Sequence, residues 1–263
     1  MKYFDSHAHY YDERFEEEYS GGAEALLSSS NMEHVSYVIN VGTAPDTCRK
    51  AIAQASKYDN MYTALGIHPS DARLIEDIDG ALAEIEALIL DKSSKCVALG
   101  EIGLDYHYPE TDKDMQINLF RRQMQMANRL GLPVVIHDRD SHEDVMRVIK
   151  EFPDVKGVLH SFSGSAEMAK ELLKLGYYIS FSGTVSFKNA RKPKEAAAVL
   201  PIDKILVETD APYLAPHPIR GTLNHSGNLE YTVAALAEIK GIAPEDCAKI
   251  TEENAKRFFR LGN

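Results

Sequence analysis

Residues 133–161, PVVIHDRDSHEDVMRVIKEFPDVKGVLHS, contain the unit that decides the fold. Two apolar runs rich in β-branched residues, Pro133–His137 and Gly157–Ser161, predict β-strands. Between them, Ser141–Phe152 carries apolar residues at helical spacing and charged residues on its other face, which predicts an amphipathic helix. A strand, a helix and a second strand in this order indicate a parallel βαβ unit with a right-handed crossover.

The same alternation extends over the whole chain. We predict strands at Tyr3–His9, Val35–Gly42, Tyr62–His68, Cys96–Asp105, Pro133–His137, Gly157–Ser161, Tyr177–Gly183 and Lys204–Thr209. We predict helices at Gly22–Asn31, Ala44–Tyr58, Asp79–Leu90, Asp112–Leu130, Ser141–Phe152, Ala166–Leu175, Asn189–Leu200, Leu229–Lys240 and Pro244–Phe259. Gly131 and Gly176 mark helix ends, and Pro244 suits the first position of a helix.

Eight strand–helix units in 263 residues indicate the α/β class, and within it a (β/α)₈ TIM barrel. The alternative is an open, doubly wound sheet. It is disfavoured because no G-x-G-x-x-G or P-loop motif follows a predicted strand. With no Pro/Gly/Ser-rich linker and no low-complexity tract, residues 1–263 are predicted to form a single domain.

The composition is that of a globular enzyme, with 44% hydrophobic and 26% charged residues. No apolar run is long enough to suggest a secretion signal or a membrane span. Cys48, Cys96 and Cys247 are widely spaced without a Cys-x-x-Cys motif, which suggests reduced thiols. We therefore expect a cytoplasmic protein that has no membrane partner and no obligate protein partner.

The charge balance limits the kind of partner. There are 29 Lys and Arg against 40 Asp and Glu, a net charge of −11, and we expect no basic block anywhere in the chain. Proteins that coat nucleic acid neutralise many phosphates with basic side chains. The excess of acidic residues argues against tight binding along a DNA duplex. It is compatible with a small acidic substrate, or with a nucleic-acid end that is bound at a few phosphates.

Histidines and carboxylates recur at the carboxyl ends of the predicted strands. His7 and His9 are two residues apart in a strand, so both side chains point to the same face and form a pair suited to a divalent cation. In a TIM barrel, all such strand ends meet at one mouth, where active sites lie. The remaining members of this set are His68, Glu101, His137, His160, Glu208 and Asp210.

Taken singly, most of these residues have a simpler structural interpretation. His68 can terminate a strand, His137 and His160 can be hydrogen-bonded core histidines, and Asp210 can cap a turn. Glu101 is different, because a carboxylate inside VALGEIGL would be buried and an unpaired buried charge is costly. Metal coordination removes that cost.

Six ordered motifs carry a family resemblance. The segments DSHAH, GIHP, GEIGLDY, IHDR, HSFSG and ETDAPYLAP, spanning residues 5–216, resemble the TatD family of metal-dependent deoxyribonucleases, a branch of the amidohydrolase-like barrels. The resemblance implies a TIM-barrel phosphodiesterase active on DNA or an oligonucleotide, with two or three divalent ions in the barrel mouth. Mg, Mn and Zn all remain open as the native metal.

Carried over position by position, the resemblance implies a role for each residue of the set. One metal takes His7, His9, Glu101 and Asp210, and a second takes the bridging Glu101 with His137 and His160. His68 lies near the substrate phosphate, and Arg220 and Asn224 match a substrate-binding RG-x-x-N segment. The implied catalytic residues are Asp210, Glu101 and His68, with Asp210 as acceptor of the proton from a metal-activated water. Glu208 has either a supporting role beside the metals or a purely structural one.

Two departures and two alternatives accompany this resemblance. The family often continues its RG-x-x-N segment with Glu-Pro, whereas this chain has His225-Ser226-Gly227, and Asp138 replaces a usually small residue. The same barrel also supports hydrolysis of a small amide or ester or of an aminoacyl ester. Many amidohydrolases bridge their metals with a carboxylated lysine where this chain has Glu101, which favours the nuclease branch. A catalytically silent scaffold is disfavoured because the ligand set is complete.

Overall fold

The computed structural model describes residues 1–262, and its eight β-strands form one parallel sheet in chain order. Asn263, the last residue of the predicted domain, lies outside the described residues. The strands are β1 (Tyr3–Ala8), β2 (Val35–Gly42), β3 (Met61–Leu65), β4 (Cys96–Asp105), β5 (Val134–Arg139), β6 (Gly157–Leu159), β7 (Tyr178–Phe181) and β8 (Ile205–Val207).

Ten α-helices occur within the described residues, and none of them is long and apolar enough to cross a membrane. They are α1 (Arg14–Glu18), α2 (Gly22–Leu27), α3 (Pro45–Ala55), α4 (Ile78–Leu90), α5 (Lys113–Leu130), α6 (His142–Glu151), α7 (Ala166–Lys174), α8 (Arg191–Val199), α9 (Leu229–Lys240) and α10 (Pro244–Phe259). Gly131 ends α5 in the left-handed conformation with φ +66°, and Pro244 begins α10, both as predicted.

The predicted fold class, a (β/α)₈ TIM barrel, is confirmed. Two strand predictions, for β2 and β4, have the observed bounds. The strands β1, β3, β6, β7 and β8 end earlier than predicted, so His68 and His160 lie in loops and not in strands. Asp210, predicted just after a strand, lies three residues beyond β8. No helix is predicted at the position of α1, because its run of three glutamates is interpreted only as a solvent-exposed surface.

Contacts divide the chain into two compact units, and the assignment of residues 1–263 to one domain stays a prediction. The first unit comprises Met1–Asn40, His160–Lys174 and Tyr178–Asn263, and the second comprises Val41–Leu159 and Leu175–Tyr177.

In the first unit, every residue of β1 is buried. The rings of Phe4 in β1 and Phe259 in α10 stack with centroids 5.7 Å apart, so the last helix covers the first strand. The chain that follows β8 runs beside the end of β1: the backbone amide of Asp210 donates to the carbonyl of His7 over 2.9 Å, and that of His9 to Ala211 over 2.7 Å. These bonds fix Asp210 next to the His7–His9 pair.

In the second unit, β4 and β5 pair so that Gly103 lies opposite His137. Gly103 has φ +136°, and a Cβ at this position would lie 2.1 Å from the His137 carbonyl oxygen. Only glycine permits this conformation and this close approach of two backbones. The glycine therefore sets the spacing between β4, which carries Glu101, and β5, which carries His137.

Candidate metal centre

The first unit brings together four predicted ligands, which we call the first ligand group: His7, His9, His160 and Asp210. His7 and His9 project from the end of β1 and its first following residues, His160 directly follows β6, and Asp210 lies three residues beyond β8. Asp210 has φ +59°, a left-handed conformation that Asp adopts more readily than most residues. His7, His9 and His160 are buried.

Three donor atoms of the first ligand group form a triangle. The Nε2 atoms of His7 and His9 are 3.1 Å apart, and Oδ1 of Asp210 lies 3.8 Å from the first and 3.5 Å from the second. Ligand bonds of about 2.0–2.1 Å at tetrahedral angles place neighbouring donor atoms about 3.4 Å apart. The triangle therefore has the dimensions of three ligands around one divalent cation.

The imidazole of His160 completes the first ligand group. Donor atoms of His7, His160 and Asp210 lie within 4.8 Å of one another, and the His7 and His160 rings stack with centroids 4.1 Å apart. Side chains that offer nitrogen and oxygen atoms in this number suit Zn²⁺ or Mn²⁺ more than a site for Mg²⁺, which prefers oxygen and water.

The electrostatics of Asp210 agree with a cation-binding carboxylate. Burial alone would raise its pKa, but the hydrogen bond with His9 and the charges of His160 and His7 hold the pKa below its usual value. Asp210 is therefore ionised at neutral pH. An ionised carboxylate is able to bind a cation and to accept a proton.

Glu208 contacts the first ligand group through His160. Its Oε1 accepts the backbone amide of Ser161 over 2.6 Å and lies 3.3 Å from Nδ1 of His160. Its Oε2 is buried and has no hydrogen-bond partner among residues 1–262. A carboxylate that orients a metal-binding imidazole through its second nitrogen is a recurrent arrangement. Of the two interpretations that the sequence left open, the geometry favours the supporting role.

This arrangement gives a first testable prediction. Glu208→Gln keeps the size of the side chain but loses the charge that orients His160, so we expect kcat/KM to fall about 10–100-fold, with weaker metal binding. Both are measured on protein whose circular dichroism matches the wild type. If metal affinity and kcat/KM stay at wild-type values, Glu208 has only a structural role.

The second unit brings together a second ligand group: His68, Glu101, Asp105 and His137. Oε1 of Glu101 lies 2.8 Å from Nδ1 of His137 and 3.5 Å from Nε2 of His68. Oδ2 of Asp105 lies 3.3 Å from Nε2 of His137. Glu101 is only 3% exposed although it carries a carboxylate, as the sequence predicted. Its predicted role as a bridge between two metals stays a prediction.

Asp105 is a member of the second ligand group that the sequence interpretation missed. Burial raises its pKa, but the hydrogen bonds with His137 and the His107 amide and the charge of His68 dominate and lower the pKa to about 2. It follows Glu101 by four residues in β4, so both side chains lie on one face of the strand. The spacing of Glu101 and Asp105 within GEIGLD is therefore the sequence feature from which Asp105 could have been predicted as a ligand.

Asp5 is a second residue that the sequence interpretation missed. It is fully buried, and accepts Thr209 Oγ1 and Ser226 Oγ, each over 2.6 Å. Burial raises the pKa of Asp5 to about 6, although these hydrogen bonds oppose the shift. The carboxylate thereby ties β1 to the segment that precedes Asp210. Ser226 belongs to the loop that departs from the family pattern, so the departure supplies a hydrogen-bond donor.

Arg220 and Asn224 occupy different environments. The Arg220 side chain is exposed, and its guanidinium carbon lies 4.0 Å from the centroid of the Phe187 ring. Asn224 is fully buried, and its amide donates to the carbonyls of Thr209 and Tyr213 over 2.9 and 2.7 Å. The Asn224 oxygen accepts two further bonds. Because its hydrogen-bonding capacity is used, Asn224 positions the loop instead of presenting a free group to substrate.

Asp138, the other departure from the family pattern, stabilises the fold beside the second ligand group. Its two oxygens bind Nδ1 of His142 over 2.7 Å and Oγ of Ser141 over 2.8 Å. Asp138 neighbours His137 in β5 and therefore points to the opposite face. It anchors the beginning of α6.

A TIM barrel that carries buried imidazoles and carboxylates at metal-ligand spacing defines a metal-dependent hydrolase. The similarity of this chain to known proteins supports the same class. The family model described as "TatD related DNase" matches residues 4–260. The chain is 42% identical over 260 residues to the Bacillus subtilis "uncharacterized metal-dependent hydrolase YabD", covering 98% of this chain and 99% of that protein. The chain belongs to the TatD family.

Two further comparisons cover most of the chain. The Mycobacterium tuberculosis "uncharacterized metal-dependent hydrolase TatD" is 39% identical over 246 residues, covering 90% of this chain and 91% of that protein. The crystal structure of YjjV, a TatD homolog from Escherichia coli K12, superposes with a TM-score of 0.89 at 30% identity and covers 99% of this chain and 98% of its own.

Proposed function

We propose that this protein is a divalent-metal-dependent deoxyribonuclease that hydrolyses phosphodiester bonds of DNA. The observation that carries the proposal is the triangle of His7, His9 and Asp210 donor atoms, 3.1–3.8 Å apart. The family match supports the proposal, because the family model is described as a DNase. Glu101 stands where many amidohydrolases carry a carboxylated lysine, which favours a phosphodiesterase over an amidohydrolase.

We further propose that the chain uses two divalent ions, Zn, Mn or Mg, in this reaction. All eight strands belong to one parallel sheet, and barrel enzymes place their active sites at the carboxyl ends of such strands. When bound, divalent ions supply an activated water at neutral pH and polarise a phosphate oxygen. Within the first unit, His7, His9 and Asp210 would hold one ion, and within the second unit, Glu101 and His137 would hold another.

Side chains of this chain would accept the proton of the attacking water and bind the substrate phosphate. Asp210 is ionised at neutral pH and would accept the proton of the attacking water. His68 accepts the Ser70 amide at Nδ1 over 3.1 Å and has its Nε2 3.5 Å from Oε1 of Glu101, and it would lie near the substrate phosphate. The exposed Arg220 guanidinium would bind a phosphate oxygen with charge-assisted hydrogen bonds.

The three cysteines form no disulfide within the described residues. Free thiols persist in a reducing compartment. We therefore also propose that the enzyme acts in the cytoplasm.

The test is digestion of end-labelled single- and double-stranded DNA, in parallel with a chromogenic phosphodiester and a panel of small amides, esters and lactones. We expect cleavage of DNA and of the chromogenic diester, loss of both with a chelator, and recovery with added Mn²⁺ or Mg²⁺. Metal-dependent hydrolysis confined to the amide, ester or lactone panel would refute the nuclease proposal and establish the amidohydrolase alternative.

A further inference from the structure

A basic segment lies in the first unit, on the loop between β7 and α8 and at the beginning of α8. Residues 188–194 read KNARKPK, with four Lys or Arg and no Asp or Glu. The chain as a whole has a net charge of −11, so this segment is a local reversal of sign. The expectation that the chain has no basic block is wrong for these residues.

The cations of this segment have few acidic partners. Elsewhere, surface arginines pair with carboxylates, as Arg121 does with Glu151 and Arg129 with Glu86. In the basic segment, Arg191 pairs with Glu195 over 2.8 Å. The described residues provide no ion pair for the other three cations, which are Lys188, Lys192 and Lys194. Their positive charge remains available to an external anion.

This placement is unfavourable for the fold taken alone. Neighbouring like charges repel, and cations in the first turn of a helix oppose its dipole. The first turn of α8 contains no acidic residue and no side-chain cap to offset the charge. The helix thus carries an electrostatic cost that binding of an anion would relieve.

The segment also lies on the side of the first unit that carries ligands. The residues that join β7 to the basic segment pack against the loop after Asp210: a Cβ on Gly183 would lie 2.3 Å from the Leu214 carbonyl oxygen. The amide of His217 donates to Ser186 Oγ over 2.8 Å. Arg220 lies over Phe187, directly before the first lysine. Arg220 therefore lies beside the beginning of the basic segment.

We propose that the basic segment binds the phosphates of a nucleic-acid strand flanking the phosphodiester that is cleaved. The proposal rests on the proposed nuclease function and adds to it a surface for an extended strand. Three lysines and Arg220 match a short run of phosphates, which agrees with the local grip predicted from the charge balance. A small amide or ester has no group that would use this surface.

The test is the variant Lys188→Gln/Lys192→Gln/Lys194→Gln in the full chain. We measure the ratio of kcat/KM for a 20-nucleotide single strand to kcat/KM for a chromogenic phosphodiester, which has one phosphate. We expect the ratio to fall about tenfold, and the slope of log affinity against log salt to decrease by about 2–3, roughly one for each lysine–phosphate pair removed. The affinity comes from fluorescence anisotropy of the same labelled strand.

The matched control is Lys170→Gln/Lys174→Gln/Lys249→Gln, which removes the same charge from exposed lysines of α7 and α10. It should leave the ratio within about twofold and the salt slope within about one. Equal effects of the two triple variants would overturn the inference. Fluorescence anisotropy measures binding of the strand and does not require its cleavage. The binding role of the basic segment is therefore tested separately from the nuclease proposal, which fails if neither DNA nor the diester is hydrolysed.

Discussion

Asp210→Asn is expected to lower hydrolysis of DNA by at least about 10²–10⁴-fold, the loss typical of a missing general base. The amide keeps the size of the side chain and one oxygen, but loses the charge and most of the basicity. Asp210 lies within 3.8 Å of the Nε2 atoms of His7 and His9, so one substitution weakens a metal ligand and removes the proton acceptor. Single-turnover rates at saturating metal measure the effect on the chemical step.

The control for this variant is Asp203→Asn, which removes the same charge from an exposed position before β8. It should keep near-wild-type rates, and both proteins should keep wild-type circular dichroism. An Asp210→Asn protein with near-normal turnover at saturating metal would contradict the assigned mechanism, even though family membership would stand.

Glu101→Ala is expected to abolish activity at least as severely and to lower metal content as well. The Glu101 carboxylate is buried beside His137 and His68, and is proposed to hold a metal ion. Its loss leaves these imidazoles without their acidic partner and removes a metal ligand. Metal content by mass spectrometry and kcat/KM measure the two effects on the same sample.

Loss of folding is distinguished from loss of metal by a second variant. Glu101→Gln retains the volume of the buried side chain and should fold, but should still bind less metal and hydrolyse DNA poorly. Glu76→Ala, at an exposed position, is the control for a removed glutamate. Full metal content and activity in Glu101→Gln would show that the carboxylate is not a ligand.

The order of strands and helices is predictable because each β-strand and most helices leave a local periodic signal. Loop-borne residues are less predictable: His68, His160 and Asp210 lie past the ends of β3, β6 and β8, where no periodicity fixes the side-chain direction. Their positions depend on loop hydrogen bonds, such as that from the Asp210 amide to the His7 carbonyl. Those bonds join residues distant in sequence.

One member of the second ligand group, Asp105, could have been predicted from the alternation of side chains in its strand, although the family motifs did not indicate it. Asp105 shares a strand face with Glu101, and this alternation by itself identifies Asp105 as a candidate ligand. For Asn224 the family resemblance implied a substrate contact, whereas the structure buries the side chain and uses all of its hydrogen-bonding capacity. Burial of a polar loop residue depends on tertiary packing, which the local sequence does not encode.

The central claim, that these imidazoles and carboxylates hold metal for hydrolysis, is tested most directly by the metal content of the purified chain. Protein reconstituted with Mn²⁺ or Zn²⁺ and passed through metal-free buffer is analysed by mass spectrometry, and its rate of DNA hydrolysis is measured on the same sample. We predict about two ions per chain, with activity lost on chelation and restored by metal. Protein that retains no metal yet hydrolyses its substrate at an unchanged rate in the presence of chelator would contradict the claim.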